Sequence, residues 1–259
     1  MSARGRVSAI APCGGLLGGL ALLATSACLN LTPIHTVHRV EMAPLAVSTG
    51  YQVDPVDGSV AYIKEGLRLR VRHVENEELD RDIPGEENPF IHRELDYDLA
   101  YVPQRFTVFQ ISVNNPTYDK VLVQPERAFL VTDRGKLMRP YQLTRADALG
   151  DPKNFETYWL SRGVQSGNAQ KLYLERMGVL RGSVYHRDSF VFKGDSYTGK
   201  LAFDPLPLGT GEVTLHIDQF VLEFGIYDIP KTQLDIEFRF SVLSDVVEPE
   251  TEGKTASSM

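Results

Sequence analysis

The chain has 259 residues, 42% of them hydrophobic and 24% charged, which is enough to bury a sizeable core. Its 34 acidic residues outnumber 27 basic ones, and the resulting net charge of −7 excludes nucleic acid and anionic lipid headgroups as charge-driven partners. Cys13 and Cys28 are the only cysteines, too few for a disulfide framework or a thiolate metal cluster.

The first element is a leader. Arg4 and Arg6 are its only charges, the apolar run 14–24 reads GGLLGGLALLA, and Thr25, Ser26 and Ala27 lead into Cys28. An n-region, an h-region and a small-residue cleavage site in this order form a secretory signal. The cysteine that follows resembles the lipobox of bacterial lipoproteins, with Thr25 where that family usually carries leucine. The resemblance implies a signal peptide over residues 1–27, cleavage before Cys28, and acylation of its thiol with palmitate-like chains. Cys28 is then the lipid anchor and the chain reaches the membrane through lipid. Leu29 in place of aspartate implies, by the enteric sorting rule, the outer membrane, on its periplasmic face or at the cell surface. Two other readings stay open: a plain cleaved signal, and an uncleaved single span, which Pro12 and the glycines work against. Cleavage leaves one thiol and 25 basic against 34 acidic residues, about −9. Attachment must then come from acyl chains, at roughly 0.8 kcal/mol per buried CH2.

Residues 28–57 read as a tether, because Pro33, Pro44 and Pro55 punctuate a stretch without apolar periodicity. His35 and His38 stand three apart there, with no further ligand beside them. The β pattern begins at Val60, in a domain taken to start at residue 58. Over 67–74 the sequence LRLRVRHV alternates Leu67, Leu69 and Val71 with three arginines, a half-buried strand with a basic outer face. The acidic run 75–82, followed by Pro84 and Gly85, reads as a solvated loop.

Residues 106–141 hold several short strands with Asn, Pro and Gly punctuation, and Asp133-Arg134-Gly135-Lys136 supplies hairpin-turn chemistry. Such spacing argues for a β-sandwich. Four motifs carry a further resemblance: Phe106-Thr107-Val108-Phe109, Asn114-Asn115, FLVTDRG at 129–135, and GKLAF at 199–203. Together they resemble the immunoglobulin-like domains of unknown function found on bacterial lipoproteins and secreted antigens. The expected fold is mainly β, an immunoglobulin-like sandwich over 58–243.

Residues 142–187 depart from that family as a helical insertion. Asp151-Pro152 is a helix-start signal for a short helix carrying Tyr158 and Trp159, and Ser166 and Asn168 cap a longer one. In the longer helix Leu172, Tyr173, Met177, Leu180 and Val184 share a face, which must be buried against the sandwich or a partner. Tyr158, Trp159, Tyr173 and Met177 are the candidate interaction or ligand-binding residues.

Beyond the insertion, strands are expected over 188–192, 198–203, 212–224 and 233–243. The inward set of 212–224 slips phase, which predicts a bulge near Asp218 and Gln219. Residues 244–259 read as a disordered acidic tail. The chain contains neither a nucleophile elbow nor a zincin, phosphate-loop or dinucleotide motif. No catalytic residue, cofactor or metal ligand is therefore assigned. The expected function is that of a lipid-anchored cell-envelope protein acting as a non-catalytic protein-interaction module with an envelope protein partner and no nucleic acid. The alternative is a ligand-binding lipoprotein with a pocket between sandwich and insertion; an envelope hydrolase is less favoured.

Overall fold

A computed structural model describes residues 36–45, 49–148, 151, 153–164 and 167–247. All belong to the second of two compact units, Ile34–Met259. The expectations for the leader, for Cys28 and for the tail beyond residue 247 lie outside the described residues.

In chain order the elements are β1 (Val37–Pro44), β2 (Tyr51–Val53), β3 (Val60–Lys64), β4 (Leu67–Val74) and α1 (Asn76–Asp82). Then come β5 (Thr107–Asn114), β6 (Lys120–Val121), β7 (Ala128–Thr132), β8 (Leu137–Met138), α2 (Phe155–Leu160) and α3 (Asn168–Ser183). The chain closes with β9 (Val191–Phe192), β10 (Ser196–Phe203), β11 (Glu212–Phe224) and β12 (Pro230–Val247). The strands form two five-stranded antiparallel sheets, β1-β12-β11-β7-β8 and β10-β5-β4-β3-β2, with a small β6-β9 ladder.

The alternation of β4 places Leu67, Leu69 and Val71 in the core and leaves Arg68 and Arg70 exposed. In β12 the same period buries Ile236, Phe238 and Phe240 and half-buries Leu234 and Val242. These two inner faces meet. Phe238 sits edge-on to Tyr51 at 5.8 Å and Phe240 lies 5.4 Å from Phe109, so one core joins both sheets into a β-sandwich. The expected bulge is present: the β11–β12 register shifts between Ile217 and Phe220. Gln219 there is left-handed at φ 55, and its N–H donates to Asp235 Oδ1 at 2.9 Å.

Three expectations are corrected. The stretch 28–57 is not a tether over its described part, because residues 37–44 form β1, paired along its whole length with the end of β12, and residues 51–53 form β2. Its inward positions include His38 and Val40, and a buried histidine hides the alternation from a hydrophobicity count. The onset of the tail is likewise strand as far as Val247. The acidic run is helix α1 rather than loop: Leu79 is fully buried, and the Asn88 amide donates to the carbonyls of Leu79 and Ile83, each at 2.8 Å. Arg72 of β4 holds the helix to the sheet through a two-pronged pair with Glu78.

The insertion lies over the outer face of the second sheet. There Val74, Phe106, Val108 and Ala202 meet Leu79, Phe155, Trp159, Met177, Leu180 and Val184 in a second core. The chain returns to the sheet at Tyr185, whose N–H donates to the Lys200 carbonyl at 2.9 Å. A Cβ on Gly199 would stand 2.5 Å from the Tyr185 Cα, so only glycine fits this motif position.

Candidate functional site

Helix α2 starts one turn later than the sequence suggests. Asn154, fully buried, accepts the Thr157 N–H at 2.8 Å, and the Asp151 carboxylate instead takes the N–H of Lys153 at 2.8 Å. Helical spacing then aims Phe155 and Trp159 into the second core together. Phe106 meets Phe155 at 5.5 Å and Tyr158 at 4.9 Å, while Tyr158 and Trp159 touch at 5.1 Å. From α3, Met177 joins this core and Tyr173 packs against it.

The four candidate residues are thus brought together, although not as an open face. Trp159 is 4% exposed and Met177 7%, while Tyr158 and Tyr173 are half-buried. What surrounds the aromatic pair is charge. The guanidinium of Arg176 lies 4.2 Å from the Trp159 ring centre and that of Arg105 4.8 Å, and Arg162 covers Tyr158 at 3.5 Å. Each is held by a backbone carbonyl. Arg105 Nε donates to Ile91 at 2.7 Å, Arg162 Nη1 to Tyr158 at 2.9 Å, and Arg176 Nε and Nη2 to Glu86 at 3.0 and 2.8 Å.

Among the described residues, none of these three arginines has a carboxylate within ion-pairing distance, whereas Arg70, Arg72, Arg93 and Arg239 all do. Burial holds the Arg105 guanidinium below its ordinary value against the opposing pull of Tyr158, which hydrogen-bonds to it, and Arg162 adds a smaller lowering. Arg176 is lowered by burial and then by Arg105. The His92 imidazole is lowered by burial and by both Arg105 and Arg162. Arg105, Arg162 and Arg176 are far apart in sequence, and no spacing in the chain signals that they meet.

A second feature stands at the β11–β12 turn. Ile226, Tyr227 and Ile229 are 78%, 93% and 63% exposed, and Tyr227 and Asp228 both adopt φ 59. Left-handed backbone at residues other than glycine costs on the order of 1 kcal/mol each, so this tip holds apolar side chains in water at a conformational cost. Gly225 N–H closes the turn on the Ile229 carbonyl at 2.8 Å. Lys120, paired with Asp228, lies 4.9 Å from the Phe190 ring and 4.8 Å from that of Phe224, bracing the tip. The signal is visible in retrospect as GIYDIP at 225–230, a turn whose centre is apolar where turns are ordinarily polar.

Among the described residues no group of three or more His, Cys, Asp or Glu side chains is placed to hold a metal, and no helix is long and apolar enough to cross a membrane. The fold is that of a mainly β sandwich with a helical insertion. No protein-family model, curated protein or solved structure matches the chain.

Proposed function

We propose that the chain is a bacterial lipid-anchored cell-envelope protein, held in the outer membrane through Cys28, that acts as a non-catalytic protein-interaction module on an immunoglobulin-like sandwich. The anchor rests on the leader, with its apolar run and small residues before the cysteine. The family assignment rests on the motifs at 106–109, 114–115, 129–135 and 199–203. The observation that carries the interaction reading is the exposed apolar tip Ile226-Tyr227-Asp228-Ile229. It caps the Pro230 end of β12, whereas β1, the strand nearest Cys28 in the chain, joins β12 at its Val247 end. Between those ends β12 rises roughly 55 Å, so the tip stands far from Val37, where β1 begins.

The test is crosslinking in intact cells followed by mass spectrometry, comparing the parent with the triple variant Ile226→Ser, Tyr227→Ser, Ile229→Ser. The expected result is a folded, membrane-bound variant that has lost the parent's envelope-protein crosslinks. Retention of the same crosslinks would remove the tip from the interaction. A second reading, a ligand-binding lipoprotein with its site between sandwich and insertion, is favoured by the three arginines gathered at that boundary.

A further inference from the structure

We infer that the arginine cluster Arg105, Arg162 and Arg176, gathered on the Tyr158–Trp159 pair, binds a phosphate-bearing ligand, which deepens the ligand-binding reading and rests on it. Three guanidiniums arrive from three places: the lead into β5, the turn after α2, and the middle of α3. Two rest against one indole and the third against the adjoining phenol ring, at 4.8, 4.2 and 3.5 Å.

Like charges gathered this closely repel, and in a chain with an excess of acids a carboxylate partner for each is readily available. The neighbouring acids act here only from a distance. Glu86 and Glu94 are exposed and make no ion pair with the cluster. A guanidinium carries five N–H donors in a planar fork, and the backbone carbonyls occupy one or two on each arginine. Beyond a side-chain hydrogen bond between Arg105 and Tyr158, the Nη groups of Arg105, Nη2 of Arg162 and Nη1 of Arg176 keep donors to offer.

The Trp159 Nε1 also lacks an acceptor, but it is sealed in the second core and is not one of these donors. A doubly charged group with several oxygens answers this donor set better than a single carboxylate, because it meets more than one fork and offsets more than one charge. The opposing account is that the arginines only brace the 84–105 loop against the helices, and it predicts no ligand.

Trp159 is the only tryptophan in the chain and stands at the proposed site, so its fluorescence reports binding there. The purified full chain in detergent is titrated with inorganic phosphate at constant ionic strength, with acetate in parallel, and calorimetry on the same samples provides a readout independent of the indole. The expected result is saturable phosphate binding, weakened at least about tenfold in the double variant Arg162→Gln, Arg176→Gln, whose thermal midpoint stays close to that of the parent. Silence in both measurements, or equal affinity in parent and variant, overturns the proposal. Tighter saturation by acetate than by phosphate overturns the choice of phosphate. None of these outcomes depends on the anchor or the crosslinked partner, so failure here leaves the interaction reading standing, and failure there leaves this site standing.

Discussion

Phe238 is fully buried between the sheets, edge-on to Tyr51 and opposite Leu215 on β11. Phe238→Ala deletes that ring from the centre of the main core and is expected to cost about 3 to 5 kcal/mol, read as a lowered urea midpoint. A loss under about 1 kcal/mol would belong to a peripheral position and contradict this packing. His73 tests the same core electrostatically. It is buried beside Phe109 with Nε2 unpartnered, and burial, reinforced by Arg72, pushes its imidazole down to about 4. Between the ordinary value near 6.5 and about 4, the unfolded chain binds a proton that the folded chain refuses. Stability is therefore lost as pH falls through that window, by up to about 3 kcal/mol. His73→Leu removes this term, so the stability of the variant relative to the parent should rise between pH 7 and pH 4. A difference independent of pH would mean that His73 protonates in place.

At the scale of elements, β1 is the sharpest test of the corrected N-terminal region. It pairs with β12 over eight residues and contributes Val40 to the main core. Deleting residues 37–44 uncovers the edge of β12 over 240–247, and an uncovered strand edge invites pairing with another chain. The expected outcome is a thermal midpoint lowered by more than about 4 °C together with association seen by light scattering; an unchanged, monodisperse protein would restore the tether. What was legible in the sequence follows the same physics. β4, β5 and β12 announce themselves because their buried faces are filled by aliphatic and aromatic residues at period 2, and the phase slip in β11 marks its bulge. β1 is hidden by a buried histidine, and α1 by having Leu79 as its one buried residue. That helix is made by tertiary partners, Arg72 and Asn88, which no local pattern contains. The second core was legible as a helical face in need of cover, but not its location on the outer surface of a sheet. The arginine cluster was not legible at all, since positions 105, 162 and 176 are joined only by the fold.

For the whole molecule the deciding quantity is charge against lipid. A processed chain would carry about −9, so its net charge does not draw it to an anionic bilayer, and the described residues offer no helix able to span one. If Cys28 carries two or three acyl chains, each buried CH2 adds roughly 0.8 kcal/mol, and attachment is firm and indifferent to ionic strength. A protein held instead by charge or by a peripheral partner is released by salt. The parent is therefore expected to stay with the membrane fraction through a wash at about 1 M salt, where the screening length is roughly 3 Å, and to leave only with detergent. On the proposed reading Cys28→Ser blocks acylation, and the variant should appear either as soluble protein or as an uncleaved precursor in the inner membrane, with the leader still present at its N-terminus. Fractionation and N-terminal mass measurement distinguish these outcomes from a plain secretory signal, in which Cys28→Ser is processed and located like the parent. Should the substituted protein remain on the membrane with a normally processed N-terminus, Cys28 is not the anchor and the envelope reading loses its foundation.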